Sequence, residues 1–204
     1  MLKMFSTQLT HLFKKIQEQN EFAIEDGARL LAQSAVGDGV VFIRGFREMS
    51  AVESEAFDGA EPFSKAVKKM SNLAEVTPAD RVILFSRFSN DAGAVYVAKN
   101  LAAQGIPFVA VCTVVDNEDE VVAEVSDNEI FGVGVQAQIA SRQGDSGDSA
   151  DLADFADVLI DLQLKKGLLP DETGNRVGYP GAMAGLFVYH ALKFTLDEIL
   201  ADFE

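Results

Sequence analysis

The sequence predicts a three-layer α/β/α domain around a mainly parallel sheet, and three observations carry that prediction. In RVILFSRFSND (81–91) the run Val82–Phe85 is apolar at every position, which suits a strand covered on both faces. A polar turn follows Ser86, then a helix-like stretch from Ala92 to about Gln104 closing on Gly105, then a second apolar run, IPFVAVCTVV (106–115). These make a βαβ unit with a right-handed crossover. The same layout occurs earlier: the apolar run of VVFIRGFREM (40–49) ends at Arg44-Gly45, and Ser50 is placed to cap a helix to about Phe57.

Taken in order, residues 3–19 put Phe5, Leu9, Leu12, Phe13 and Ile16 on one helical face. A second helix is expected over about 21–35, ended by Gly37-Asp38-Gly39. Strand 40–44 and helix 50–57 follow. The stretch Phe63–Leu73 reads as a helix with a basic face at Lys65, Lys68 and Lys69, or as holding a short edge strand. Strands are expected at 82–86 and 107–113, with Asp91 capping the helix between them through its first N–H groups. Within 116–149, Val121–Val125 suits a helical turn, Ile130–Val135 a strand, and SRQGDSGDS (141–149) a flexible loop. A short helix after Ala150 leads to a strand at 158–162, and DETGNRVGYPG (171–181) is a Gly/Pro-punctuated loop. A long last helix spans Ala182–Phe203, its apolar positions Met183, Leu186, Phe187, His190, Ala191, Phe194 and Ile199.

Composition excludes several function classes. The chain of 204 residues carries a net charge of −15, and twelve acids against the single Arg142 between Val114 and Asp157 supply −11 of it. The excess is thus mostly one acidic insertion at about 115–149, and its field repels nucleic acid. No apolar run approaches the ~18 residues of a membrane helix, so no membrane partner is expected. The start MLKMFSTQLTHLFKK has no signal-peptide core, and Cys112 is the only cysteine, so a reducing cytoplasm is the expected setting. Two histidines, His11 and His190, offer little to a metal, and no metal site is expected. No Gly-x-Gly-x-x-Gly follows a strand, so no dinucleotide or flavin cofactor is expected.

The order of these elements resembles the sugar isomerase (SIS) domain. The likeness covers about residues 20–113 and 150–200: a strand ending in Gly45, a strand ending in Ser86, a helix ending in Gly105-Ile106, and Leu-Ala-Asp-Phe-Ala-Asp (152–157) before the last strand. Small bacterial proteins with an SIS-like fold, related to phosphoheptose isomerases, are the nearest likeness. The resemblance implies a single SIS-like domain over 1–204 carrying the acidic insertion, pairing through helices, and binding a phosphorylated sugar. The family's phosphate loop, Ser-x-Ser-Gly-Asn-Ser, falls on Ser86-Arg87-Phe88-Ser89-Asn90-Asp91. Ser86 and Asn90 match it, while Phe88 and Asp91 replace hydroxyls and Ser89 replaces the glycine. The family's Gly-Asn-Gly-Gly-Ser falls on Gly45-Phe46-Arg47-Glu48-Met49 and keeps only its first glycine.

A turn between a strand's carboxyl end and a helix's amino end is where α/β proteins bind small anions. Residues and resemblance together give a substrate-binding set of Gly45, Phe46, Arg47, Ser86, Arg87, Ser89, Asn90 and Asp91, with no catalytic residue. Arg44, Arg47 and Arg87 sit at or just after strand ends, and arginine's planar fork binds phosphate in a bidentate way. Lys165, Lys166 and Arg176 follow the last strand and are candidates for the same edge. The alternative is that the arginines pair with Glu48, Glu53 or Asp91 and solvate the rim. Three functions remain open: a non-catalytic binder or sensor of a phosphosugar, an aldose–ketose phosphosugar isomerase using Glu55 or His190 as base, and an interaction protein without a pocket. A homo-oligomer is expected from the wide apolar face of the first helix.

Overall fold

The structure, a computed structural model, describes residues 1–63, 67–115 and 150–202. The readings placed on 116–149 lie outside the described residues, as does Lys65. One helix, α1 (Leu2–Val36), opens the chain. It is followed by β1 (Val41–Gly45), a 3₁₀ turn at Arg47–Ser50, α2 (Ala51–Asp58) and β2 (Val67–Lys69). Next come β3 (Arg81–Phe88), α3 (Ala92–Ala103), β4 (Phe108–Thr113) and β5 (Val158–Asp161). A two-residue ladder, β6 (Leu169–Pro170) with β7 (Arg176–Val177), precedes α4 (Gly181–Ala201).

The main sheet has the order β2-β1-β3-β4-β5, and every pairing in it is parallel. Alternate residues of its strands enter two cores, as the period-2 geometry of a strand requires. Ile43, Ile83, Phe85, Val109, Val111 and Ile160 face α1, α2 and α4. Phe42, Val82, Leu84, Phe108, Ala110 and Cys112 face α3. The three-layer α/β/α sandwich expected from the sequence is therefore the fold. Cys112 is fully buried, and burial pushes its thiol well above the ordinary value.

Three local expectations are corrected and one open alternative is decided. The first two helices are one, because Asn20 clamps the chain instead of breaking it. Its amide donates to the Ile16 carbonyl (2.8 Å) and the Asp161 carbonyl (3.0 Å), and the Asp161 N–H donates back to Asn20 Oδ1 (2.9 Å). The stretch after Phe63 contains the edge strand β2, set beside β1 by the register Val41 to Val67. Ser50 makes no side-chain cap, because α2 grows directly out of the 3₁₀ turn. The face of α4 that packs is Ala184, Gly185, Val188, Tyr189, Leu192, Leu196 and Leu200, while Met183 and Phe194 are about half exposed. Apolar residues run round most of the helix, so hydropathy does not single out this face; at Gly185 close approach requires a small residue, since a Cβ there would lie 2.9 Å from Met49 Sδ.

Candidate functional site at the carboxyl edge of the sheet

Strand ends define the site. β1 stops at Gly45 because the 3₁₀ turn folds back on it: a Cβ there would lie 2.3 Å from the Met49 carbonyl oxygen. Arg47 enters that turn with φ +54°, a left-handed conformation that costs a non-glycine residue roughly 1–3 kcal/mol. β3 runs two residues past Ser86, and its pairing with β4 shifts register between Phe85 and Phe88. That irregularity sets the backbone of Arg87, a bulge-like re-aiming of one side chain.

The two turns are clasped by reciprocal ion pairs. Arg87 forks onto Glu48, Nε to Oε1 at 2.6 Å and a terminal nitrogen to Oε2 at 2.8 Å. Arg47 Nε reaches Asp91 Oδ2 at 3.3 Å in the opposite direction. Burial works against ionisation of Glu48, but hydrogen bonds led by Arg87 outweigh it and hold its carboxyl below the ordinary 4.5. Glu48 in turn raises the Arg87 guanidinium. Behind the clasp, the buried Glu53 accepts the Gly45 N–H (2.8 Å) and pairs with Lys69 (2.7 Å) and Arg44 (3.6 Å).

Most of the remaining residues expected to grip an anion are engaged by the protein itself. Asp91 caps α3 by accepting from the Ala94 N–H (3.0 Å), so a carboxylate of the chain occupies that helix end. The Phe46 ring covers the same turn, 3.5 Å from where a Cβ on Gly93 would stand. Ser86 is buried and donates to the Phe88 carbonyl (3.0 Å). Ser89, also buried, donates to Asp151 Oδ2 (2.6 Å) and accepts the Val115 N–H (3.2 Å). Asn90 is exposed.

On the Arg87 side of the clasp lies an open cleft of about 480 Å³, lined by Glu48, Arg87, Phe88, Lys165, Lys166 and Tyr179. Its far wall is the loop after β5. Asp161 holds that loop by accepting the Gln163 N–H (2.8 Å) and side-chain amide (2.6 Å), with Gln163 at φ +57°. The buried Leu164 is fixed at both backbone groups: its N–H reaches the Thr113 hydroxyl (3.2 Å) and its carbonyl accepts Tyr179 Oη (2.7 Å). Tyr179 thereby packs against both the loop and Arg87, whose guanidinium carbon is 5.6 Å from the ring centroid. Burial pushes its phenol up to about 12, so it is a neutral donor. Lys165 and Lys166 share an edge with Arg87, as their position after the last strand suggested. Arg176 does not line the cleft; it donates to the Gly167 (2.9 Å) and Leu168 (2.7 Å) carbonyls.

Glu55 and His190 meet elsewhere. His190 Nε2 is 3.9 Å from Glu55 Oε1, on α4 and α2 respectively, and neither residue lines the cleft. His190 is nine residues from Gly181, roughly 13 Å down α4 at 1.5 Å per residue. Among the described residues, no group of three or more His, Cys, Asp or Glu side chains is arranged to hold a metal, and no helix is long and apolar enough to cross a membrane.

A parallel β2-β1-β3-β4-β5 sheet between helical layers, with its cleft at the strands' carboxyl ends, defines an SIS-like α/β sandwich. Solved structures share the fold at low identity. The sugar isomerase domain of an RpiR transcription factor from Sphaerobacter thermophilus is similar at 14% identity and TM-score 0.50, covering 98% of this chain and 89% of that one. The NanR protein of Vibrio vulnificus, complexed with ManNAc-6P, is similar at 9% and 0.60, covering 98% of this chain and 63% of NanR. Phosphoheptose isomerase GmhA from Neisseria gonorrhoeae is similar at 13% and 0.52, covering 95% of each chain. More particularly, the chain belongs to the family described as Domain of unknown function (DUF2529), whose model matches residues 1–131 and 120–200. It is 37% identical over 203 residues to the Uncharacterized protein YwjG of Bacillus subtilis (strain 168), across 100% of this chain and 99% of that protein.

Tyr179, Phe88 and Glu48 are the lining residues that the sequence did not assign to binding, Glu48 having been read only as a partner for an arginine. Tyr179 had one signal, an aromatic side chain in a Gly/Pro-punctuated loop just before a helix. The pairing of Arg87, Arg44 and Arg47 with Glu48, Glu53 and Asp91 was the alternative the sequence offered, and all three pairs form.

Proposed function

We propose that this protein is a single SIS-like domain that binds a small phosphorylated sugar, without turning it over, in the cleft between Arg87 and the loop after β5. The observation that carries the reading is the convergence of Arg87, Lys165 and Lys166 on one open cleft of an otherwise acidic chain. Cations there attract a phosphate, while Tyr179 and Phe88 offer ring faces to the apolar side of a sugar. The neighbour NanR, whose structure holds ManNAc-6P, supports the ligand class. In this reading Arg87 contacts the ligand, and Gly45, Phe46, Arg47, Ser86, Ser89, Asn90 and Asp91 form the frame that aims it.

A thermal-shift panel of sugar phosphates against the unphosphorylated sugars tests this. Ligand at ~100 times its dissociation constant adds roughly 2.7 kcal/mol, or about 5–11 °C for a chain of this size. The shift is expected to vanish in Lys165→Ala/Lys166→Ala, and a flat panel for the wild type would contradict the reading. One observation favours aldose–ketose isomerisation instead: Glu55 and His190 lie together as an acid–base pair would. Turnover of a phosphosugar, lost in Glu55→Gln, would establish it.

We also infer a cytoplasmic setting, which the free, buried Cys112 supports, and a homo-oligomer, which the exposed Met183 and Phe194 on α4 support. Light scattering at micromolar concentration is expected to give a multiple of 22.0 kDa, shifting toward one chain in Met183→Glu/Phe194→Glu. A wild-type monomer would remove this inference.

A further inference from the structure

The cleft contains a carboxylate where an anion-binding site would be expected to carry only cations. Glu48 lines it and occupies the fork of Arg87 with two hydrogen bonds of 2.6 and 2.8 Å. A bidentate carboxylate uses the same guanidinium edge that a phosphate would use. An incoming phosphate and Glu48 therefore compete for one donor pair.

We propose that Glu48 is a built-in competing anion, a specificity-determining residue that a ligand's phosphate must displace from Arg87. The inference rests on the reading of this cleft as a phosphosugar site. The lining supplies the means of exchange. Lys165 and Lys166 border the same cleft as the Arg87–Glu48 pair, so a phosphate that takes the Arg87 fork also comes within reach of further cationic side chains. The displaced carboxylate has a second seat close by. Its Oε1 already lies 3.0 Å from where a Cβ on Gly181 would stand, at the first turn of α4, where N–H groups without intrahelical partners favour a negative charge. Singly charged anions replace one carboxylate by another and gain little from the exchange. A dianion also engages the lysines, so Glu48 sets a threshold that passes phosphate esters and holds back carboxylates.

The test uses inorganic phosphate as the probe, titrated calorimetrically into the full chain as wild type, Glu48→Gln, Glu48→Asp, Arg87→Ala and Glu48→Gln/Arg87→Ala. Freeing the Arg87 fork is expected to tighten phosphate binding about ten- to a hundred-fold in Glu48→Gln, the range of one charge-assisted bidentate contact. Glu48→Asp, whose carboxylate is drawn back by one methylene, is expected to tighten it less. Arg87→Ala is expected to cancel the gain, so the two substitutions are strongly non-additive. A residue that merely braces the turn would weaken binding when replaced. Hence phosphate bound equally or more weakly by both folded Glu48 variants overturns the proposal. The phosphosugar reading fails separately. If Glu48→Gln tightens phosphate while the wild type binds no sugar phosphate, only the ligand class is wrong. If wild-type phosphate binding is lost in Arg87→Ala but not improved in Glu48→Gln, only the competing-anion role is wrong.

Discussion

Replacing Gly45 by alanine tests the geometry on which the site is built. A Cβ at this position would stand 2.3 Å from the Met49 carbonyl oxygen, 2.5 Å from its carbon and 2.7 Å from the Ser50 nitrogen. All three are backbone atoms, so no rotamer change relieves the contact. The turn itself has to move, and with it Glu48 and its hold on Arg87. Overpacking a tight site costs about 1–3 kcal/mol, and a clash with backbone belongs at the upper end. At roughly 2–4 °C per kcal/mol for a chain of this length, a loss of about 6–12 °C in Tm is expected. Gly93→Ala is the matched control. Its Cβ would meet Asp91 Oδ1 at 3.4 Å and Phe46 at 3.5 Å, ordinary contact distances, in a helix where alanine is favoured by up to ~1 kcal/mol. Calorimetric melting of both variants decides the matter. If Gly45→Ala melts within about 2 °C of the wild type, a shift under ~1 kcal/mol, the turn does not fold back as described.

Other perturbations follow from the same contacts. Glu53→Ala removes the carboxylate shared by the Gly45 N–H, Lys69 and Arg44, and breaking such a buried pair is expected to cost about 3–5 kcal/mol in urea denaturation. Asn20→Ala leaves the Asp161 N–H and carbonyl without the partners they have now, so the Asp161 amide is expected to exchange hydrogen faster as the loop bearing Lys165 loosens. Stability is expected to fall in acid. Burial opposes ionisation of Asp80, but hydrogen bonds from Val40 and Thr77 hold it below its ordinary 3.8, and Glu48 is held below 4.5. Groups depressed by folding contribute stability that is complete above the unfolded value and lost as pH falls through the folded one. Urea midpoints should therefore be level from pH 7 to about 5 and drop below about 4, with a shallower drop in Asp80→Asn.

The fold was legible because burial on both faces leaves a plain mark: Val82–Phe85 and Phe108–Cys112 admit no polar residue, and parallel strands require it. The single α1 was not legible, since Asn20 looks like a break until Asp161, 141 positions away, is beside it. The packed face of α4 was hidden for another reason, because apolar side chains run round most of that helix, and hydropathy alone does not separate the buried Val188, Leu192, Leu196 and Leu200 from the half-exposed Met183 and Phe194. At the site, the strand ends and their charges were readable, and so was Asp91 as a cap. What sequence could not give was the partner of each arginine. Whether Arg87 turns to Glu48 or to a ligand depends on the bulge after Phe85 and on the left-handed Arg47, and neither has a residue signature. Lys165 and Lys166 were recognisable as bases after a strand, but their shared cleft with Arg87 needed the Thr113, Leu164 and Tyr179 bonds that fix the loop.

The most direct test of the central claim is an amide-resolved NMR titration of the full chain with a sugar phosphate that gives a thermal shift. The account predicts saturable perturbations centred on Glu48, Arg87, Phe88, Lys165, Lys166 and Tyr179, absent with the unphosphorylated sugar. Perturbations centred instead on Glu55 and His190, or none at saturating ligand, would contradict it.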